Sequence, residues 1–186
     1  MNDDALYESF AQPRYSSRPF PPYRFVPGRH PHPTASPLGH SYAGPGHAEP
    51  AVCPVAPDAW RVSEEYLYGC DLYNHAYWWE AHEAWEGLWH LPERGSLQRK
   101  FLQGLIQVSA CHLKLRLGHM DGVSRLLESS RTYLCDVRAA VGDHRFMGLE
   151  VAGFLNRVEA YYTAVRVTAD EKPGHRPELF PYCLPG

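Results

Sequence analysis

Residues 97–117 read LQRKFLQGLIQVSACHLKLRL. At 100° per residue, Leu97, Phe101, Gly104, Leu105, Val108, Cys111 and Leu115 share one broad face. A second apolar row, Leu102, Ile106, Leu113 and Leu117, lies on the far side. A helix that is apolar on two sides is sandwiched between neighbours. This stretch, running from about Ser96 to a stop at Gly118, therefore predicts the centre of an all-α fold. Gly104 costs about 1 kcal/mol of helix propensity relative to alanine, which close approach of another helix would explain.

Four more helical patterns flank it. The first spans about Ser63 to Asn74, with Ser63 as N-cap, Glu64 and Glu65 in the first turn, and Val62, Tyr66, Cys70 and Tyr73 on one stripe. The second spans about Tyr77 to Trp89 and is stopped by Pro92. The fourth starts near Asp121 as N-cap and carries Val123, Leu127, Ser130, Leu134, Val137 and Val141 up to Gly142. The fifth starts near Asp143, carries Val151, Leu155, Val158, Tyr162 and Val165 on one face, and ends before Pro173. Short loops make consecutive helices antiparallel, so the body is expected to be about five helices packed as antiparallel helical hairpins.

The chain has 186 residues, 44% of them hydrophobic and 21% charged, enough for one compact domain with something left over. Twelve of its 17 prolines precede residue 58. The segment RPFPPYRFVPGRHPHPTASPLGHSYAGPGHAEP cannot be helical, because proline removes backbone donors and extends the residue before it. It also carries Phe20, Tyr23, Phe25, Val26 and Tyr42, which a free linker rarely does. The expected organisation is an extended Pro-rich N-terminal arm over residues 1–57, partly packed on the body with its first dozen residues loose. A helical domain over 58–170 and a C-terminal tail over 171–186 complete it.

The second helix carries the polar chemistry. In YWWEAHEAWEGLW, Trp78, Trp85 and Trp89 fall within a narrow arc flanked by Ala81 and Leu88, the expected core face. His82 and Glu86 border that stripe, while Glu83 and then Glu80 grade away from it unless another element covers them. A histidine and carboxylates beside tryptophans need partners, because burying an unpaired carboxylate costs several kcal/mol. Three accounts fit. His82 and Glu86 pair at i,i+4 within a structural hydrogen-bond network. Alternatively, His82 and Glu86 ligate a divalent metal, with Glu83 as general base, since H-E-A-W-E is one residue from the H-E-x-x-H of zinc peptidases. In the third account the carboxylates line a metal-free pocket for a small polar ligand. Gln103 and Gln107, one turn apart on the central helix, and Glu80 are the further candidates for ligand contacts.

Of 11 histidines, His30, His32, His40 and His47 lie in the arm. A folded-over arm would bring His32 or His40 to His82 and Glu86 as additional ligands; turn residues without a ligand role are the plainer reading. His112, on an apolar face, reads as a satisfied core histidine. The five cysteines include no C-x-x-C pair, which argues against zinc ribbons and for reduced thiols.

The formal charge of −3 and pI of about 6.4 ask for neither a nucleic acid nor an anionic membrane as partner. The acidic start MNDDALYESF lacks the order of a secretory signal, so a cytoplasmic protein is expected. No G-x-x-x-x-G-K-[ST], G-x-G-x-x-G or G-x-S-x-G occurs, which disfavours nucleotide-binding loops and the usual serine hydrolases. Self-association through Tyr161 and Phe154, taken as exposed, is a further expectation.

Tyr73-Asn74 followed by Trp78-Trp79-Glu80-Ala81-His82-Glu83-x-x-Glu86-x-x-Trp89 resembles the signature of a bacterial and archaeal family, domain of unknown function 309. A second block, Phe101-Leu102-Gln103-Gly104-Leu105-Ile106-Gln107 followed by Gly118 and Gly122-Val123, resembles it in the same order and spacing. The resemblance covers roughly residues 62–140, and the arm's PGRHPHP and GHSY look like an N-terminal extension of some members. It implies packed helical hairpins, with His82, Glu83, Glu86, Gln103 and Gln107 as signature polar positions, and leaves the activity open. The chain departs from the pattern at Ala76, where glycine is usual, at Val123, where alanine is usual, and at His119, where asparagine is usual.

Overall fold

The computed structural model describes residues 14–44, 52–142 and 144–168. Among them the fold is all-helical. A 3-10 helix over Pro57–Val62 leads into α1 (Glu64–Asn74), α2 (Trp78–Trp89), α3 (Leu97–Arg116), α4 (Met120–Val141) and α5 (Val151–Thr168). The expected loose start, the tail, His47, His175 and Cys183 lie outside the described residues.

Local chemistry sets the boundaries. Ser63 caps α1, its hydroxyl accepting from Tyr66 N, and Ser96 caps α3 by accepting from Arg99 N. α1 ends in a Schellman turn, with Tyr77 N donating to Leu72 O and Ala76 N to Tyr73 O. Ala76 sits there at φ +63, a left-handed conformation that glycine adopts without cost. That is the physical reason for glycine being usual at this position. Gly118, at φ +74, closes α3 by the same pattern.

Three expectations need correction. Asp121 is not the cap of α4 but lies in its first turn, after His119. Val62 is exposed in the 3-10 helix and takes no part in the stripe of α1. The fifth helix starts at Val151, well past the proposed start, and Asp143 itself lies outside the described residues. What precedes α5 is a tight turn. Phe146 and Leu149 exchange backbone bonds of 2.9 and 3.0 Å around Met147 (φ +46) and Gly148 (φ +81). Two positive φ angles in a row define a type I′ turn, which no helix continues. Tyr66 Oη donates to Met147 O at 2.8 Å, and the Trp60 ring lies where a Cβ on Gly148 would be.

α3 is the central rod, packed between α2 and α4. Phe101, Leu105, Val108 and Cys111 of its broad face are buried, and so are Leu102 and Ile106 of the far row. Leu134 of α4 occupies the space a Cβ on Gly104 would need, so the glycine marks a close helix contact. Phe154 and Tyr161 of α5 are buried, which removes them as an exposed self-association surface.

His112 sits in the middle of the core. Its Nε2 lies 3.0 Å from Tyr73 Oη and its Nδ1 3.1 Å from Tyr162 Oη. The ring stacks on Trp78 at 5.1 Å and on Tyr162 at 5.6 Å. A neutral imidazole carries one donor and one acceptor, so one tyrosine accepts from it and the other donates to it. Burial lowers its pKa from 6.5 to about 3. Cys111 beside it is pushed up to about 12 by the same burial, which makes its thiol inert.

Two outcomes follow from this packing. Gly104→Ala should overpack the α3–α4 contact and cost about 1–3 kcal/mol in urea unfolding, where an unchanged midpoint would contradict it. His112 should make the fold acid-sensitive. Above pH 6.5 its contribution is fully present; from there down towards pH 3 the unfolded chain binds a proton that the folded chain refuses. Wild type should therefore lose up to about 1.4 kcal/mol more per pH unit than His112→Gln between pH 6 and 4. Parallel stability profiles for the two proteins would contradict this.

Candidate functional site

α2 presents three faces. Trp78, Ala81, Trp85 and Leu88 point into the core, and Trp89 is only half-buried. Trp85 reaches across to α1, its indole Nε1 donating to Tyr66 O, and packs where a Cβ on Gly69 would sit.

The second face lies under the arm. Glu80 is buried, and its Oε1 accepts from Phe25 N at 2.8 Å and lies 3.0 Å from His40 Nε2. α1 offers a matching anchor one helix away. Asp71, fully buried, accepts from Tyr15 N at 2.8 Å and Ser16 N at 2.9 Å, with Arg14 Nε 3.4 Å away. Between these anchors Tyr68 Oη donates to Pro19 O, and Arg24 Nε donates to His75 O. Phe20 stacks on Tyr77 with ring centroids 5.0 Å apart. Burial raises the pKa of Tyr68, so its hydroxyl keeps the proton this bond uses.

The third face carries His82, Glu83 and Glu86. One potential ligand atom from each lies within 4.8 Å of the others. His82 Nε2 and Glu86 Oε2 are 3.2 Å apart, with side chains 31% and 44% exposed. A tetrahedral ion with bonds of about 2.1 Å holds its ligands about 3.4 Å apart, so the His82–Glu86 spacing already suits one. Glu83 is exposed and carries the third potential ligand atom of the group. A cation there would keep open positions for water.

The remaining candidates lie elsewhere. His40 goes to Glu80 and not to His82. His32 packs edge-on to Trp79 and against Phe25, and its Nδ1 accepts from Thr34 N and Ala35 N. Glu80 faces the arm rather than the His82 group. Gln103 and Gln107 are half-buried on α3, and the buried Oε1 of Gln107 has no hydrogen-bond partner among the described residues. Sequence reasoning missed Asp71, whose only signal is an acidic residue within the otherwise apolar run Tyr66–Tyr73.

Residues 66–126 match the family model described as Domain of unknown function (DUF309). The resemblance carried by the two motifs therefore holds over this segment, about a third of the chain. It includes all of α2 and α3, hence His82, Glu83, Glu86, Gln103 and Gln107, and both arm anchors, Asp71 and Glu80. The arm itself and α5 fall outside the match. No curated protein and no solved structure matches the chain. Among the described residues, no helix is long and apolar enough to cross a membrane.

The division of α2 into a buried and a half-exposed polar face predicts unequal costs of mutation. Glu80→Ala leaves two buried donors without an acceptor and should cost about 2–4 kcal/mol. His82→Ala breaks a half-exposed pair and should cost under about 1 kcal/mol. Guanidinium unfolding of both variants checks this; equal losses would contradict the division.

Proposed function

We propose that the protein binds one divalent cation on α2, through His82 and Glu86, with Glu83 beside them. The reading is carried by the gathering of the three potential ligand atoms within 4.8 Å. An imidazole and carboxylates suit zinc, manganese or a related first-row ion. Such an ion lowers the pKa of bound water towards neutrality. On this reading Glu83, on the exposed side, takes the proton from that water, and hydrolysis of a small polar substrate is the chemistry the group would support. Gln103 and Gln107, half-buried on the packed neighbour α3, are the amides this reading assigns to substrate or ligand orientation. Glu80 is left out, since its Oε1 is already held by the arm.

One observation favours a second reading. His82 and Glu86 already satisfy each other at 3.2 Å. On that reading the pair only braces the helix, and the protein is a non-enzymatic interaction module.

The two readings part in a titration. Chain stripped with chelator and then titrated calorimetrically with Zn2+ or Mn2+ should bind one ion per chain. His82→Ala and Glu86→Gln should each weaken binding by about 10-fold or more, as loss of one of few ligands does. No binding by the wild type, or binding equal in wild type and His82→Ala, would leave only the interaction module.

A further inference from the structure

A second reactive arrangement lies in the arm, apart from the His82 group. Ser41 Oγ lies 2.8 Å from His40 Nδ1, and the opposite ring nitrogen, Nε2, lies 3.0 Å from Glu80 Oε1. Hydroxyl, imidazole and carboxylate are thus connected in series at hydrogen-bond distance. Burial is graded along the series. The side chains of His40 and Glu80 are 3% and 5% exposed, whereas Ser41 is exposed. We propose that Ser41, His40 and Glu80 form a nucleophilic relay, in which Ser41 is acylated by activated esters of apolar acids.

The tautomer follows from the partners. Glu80 Oε1 already accepts from Phe25 N, so the carboxylate is fixed in place. A carboxylate next to Nε2 keeps the ring proton there, and the Nδ1 lone pair is left to accept from the Ser41 hydroxyl. The Tyr23 ring packs on the imidazole with centroids 4.6 Å apart, and Tyr23 Oη accepts from His40 N, so the ring has little freedom to turn. Glu80 Oε2 is buried and has no hydrogen-bond partner among the described residues, a sign of a dry surrounding in which the carboxylate's field on the imidazole is strong.

The step balances without a cofactor. Ser41 Oγ bonds to the acyl carbon while its proton passes to His40 Nδ1. The imidazolium that forms is held at Nε2–H by Glu80. The C–O bond to the leaving alcohol then breaks, and the alcohol takes the proton from Nδ1. Water reverses the sequence and frees the acid. Ser41 and His40 are the catalytic residues here, and Glu80 is a positioning residue. The substrate class comes from what flanks Ser41: Leu38 and Tyr42, both large apolar side chains exposed to solvent, offer an edge for an acyl chain. The absence of G-x-S-x-G does not bear on this relay. That motif encodes a strand-to-helix elbow, whereas here the base is the residue preceding the nucleophile and the acid comes from α2.

An alkyl fluorophosphonate tests the relay directly, since Ser41 Oγ would displace fluoride at phosphorus and keep the adduct. The full chain in excess chelator, which separates this result from the cation reading, should gain one adduct by intact mass, mapped to Ser41. Ser41→Ala should abolish it with the fold unchanged by near-ultraviolet circular dichroism, because the hydroxyl is exposed. His40→Gln should slow it by about 100-fold and Glu80→Gln by at least about 10-fold. An unlabelled wild type, an adduct at another residue, or equal labelling rates in wild type and His40→Gln would each overturn the proposal.

Discussion

A carboxylate cannot remain buried without donors, and among the described residues two are buried on adjoining helices. Asp71 and Glu80 would cost several kcal/mol each in an apolar setting if left alone. The arm supplies what they lack: the backbone amides of Tyr15 and Ser16 for one, the amide of Phe25 and the imidazole of His40 for the other. Carboxylates held by backbone amides are charge-assisted bonds, stronger than neutral ones. They fasten a proline-rich segment, folded on itself by its own turns, as a fixed cover over α1 and α2. The arm in turn explains why every residue of α1 from Tyr66 to Asn74 is buried, although a surface helix would leave one face wet.

The same constraint sorts the polar residues of α2. Glu80 is consumed by the cover, and His82, Glu83 and Glu86 are left on a face that stays partly open to solvent. A cluster that reads in one dimension as a single acidic motif is two separate environments in three. The buried one orders the arm and brings His40 and Ser41 into line. The half-exposed one is where a cation could be held and water could reach it.

The helical body was readable from the chain because its signals are local. Ser63, Pro92, Gly118 and Gly142 mark stops and starts by their own backbone chemistry, and the two-sided apolar pattern of residues 97–117 placed α3 at the centre. Gly104 announced the contact that Leu134 makes. The start of α5 was not readable in the same way, because Val151, Leu155 and Val158 keep helical spacing while the type I′ turn before them depends on Trp60 and Tyr66 from far earlier in the chain. Burial of Phe154 and Tyr161 was hidden for a related reason: a helix face is decided by what covers it. The matched segment, residues 66–126, does not include the arm, so the partners of Asp71 and Glu80 could be found only in three dimensions.

If the two carboxylates hold the arm, its amides are inaccessible in the folded protein for as long as the arm stays down. Amide hydrogen exchange of the unmodified chain, resolved by residue, measures this most directly. The account predicts that Tyr15, Ser16 and Phe25 exchange about 100-fold or more slowly than in an unstructured peptide, as backbone donors bonded inside a fold do. Exchange of these three at unprotected rates, while the amides of α3 remain protected, would contradict it.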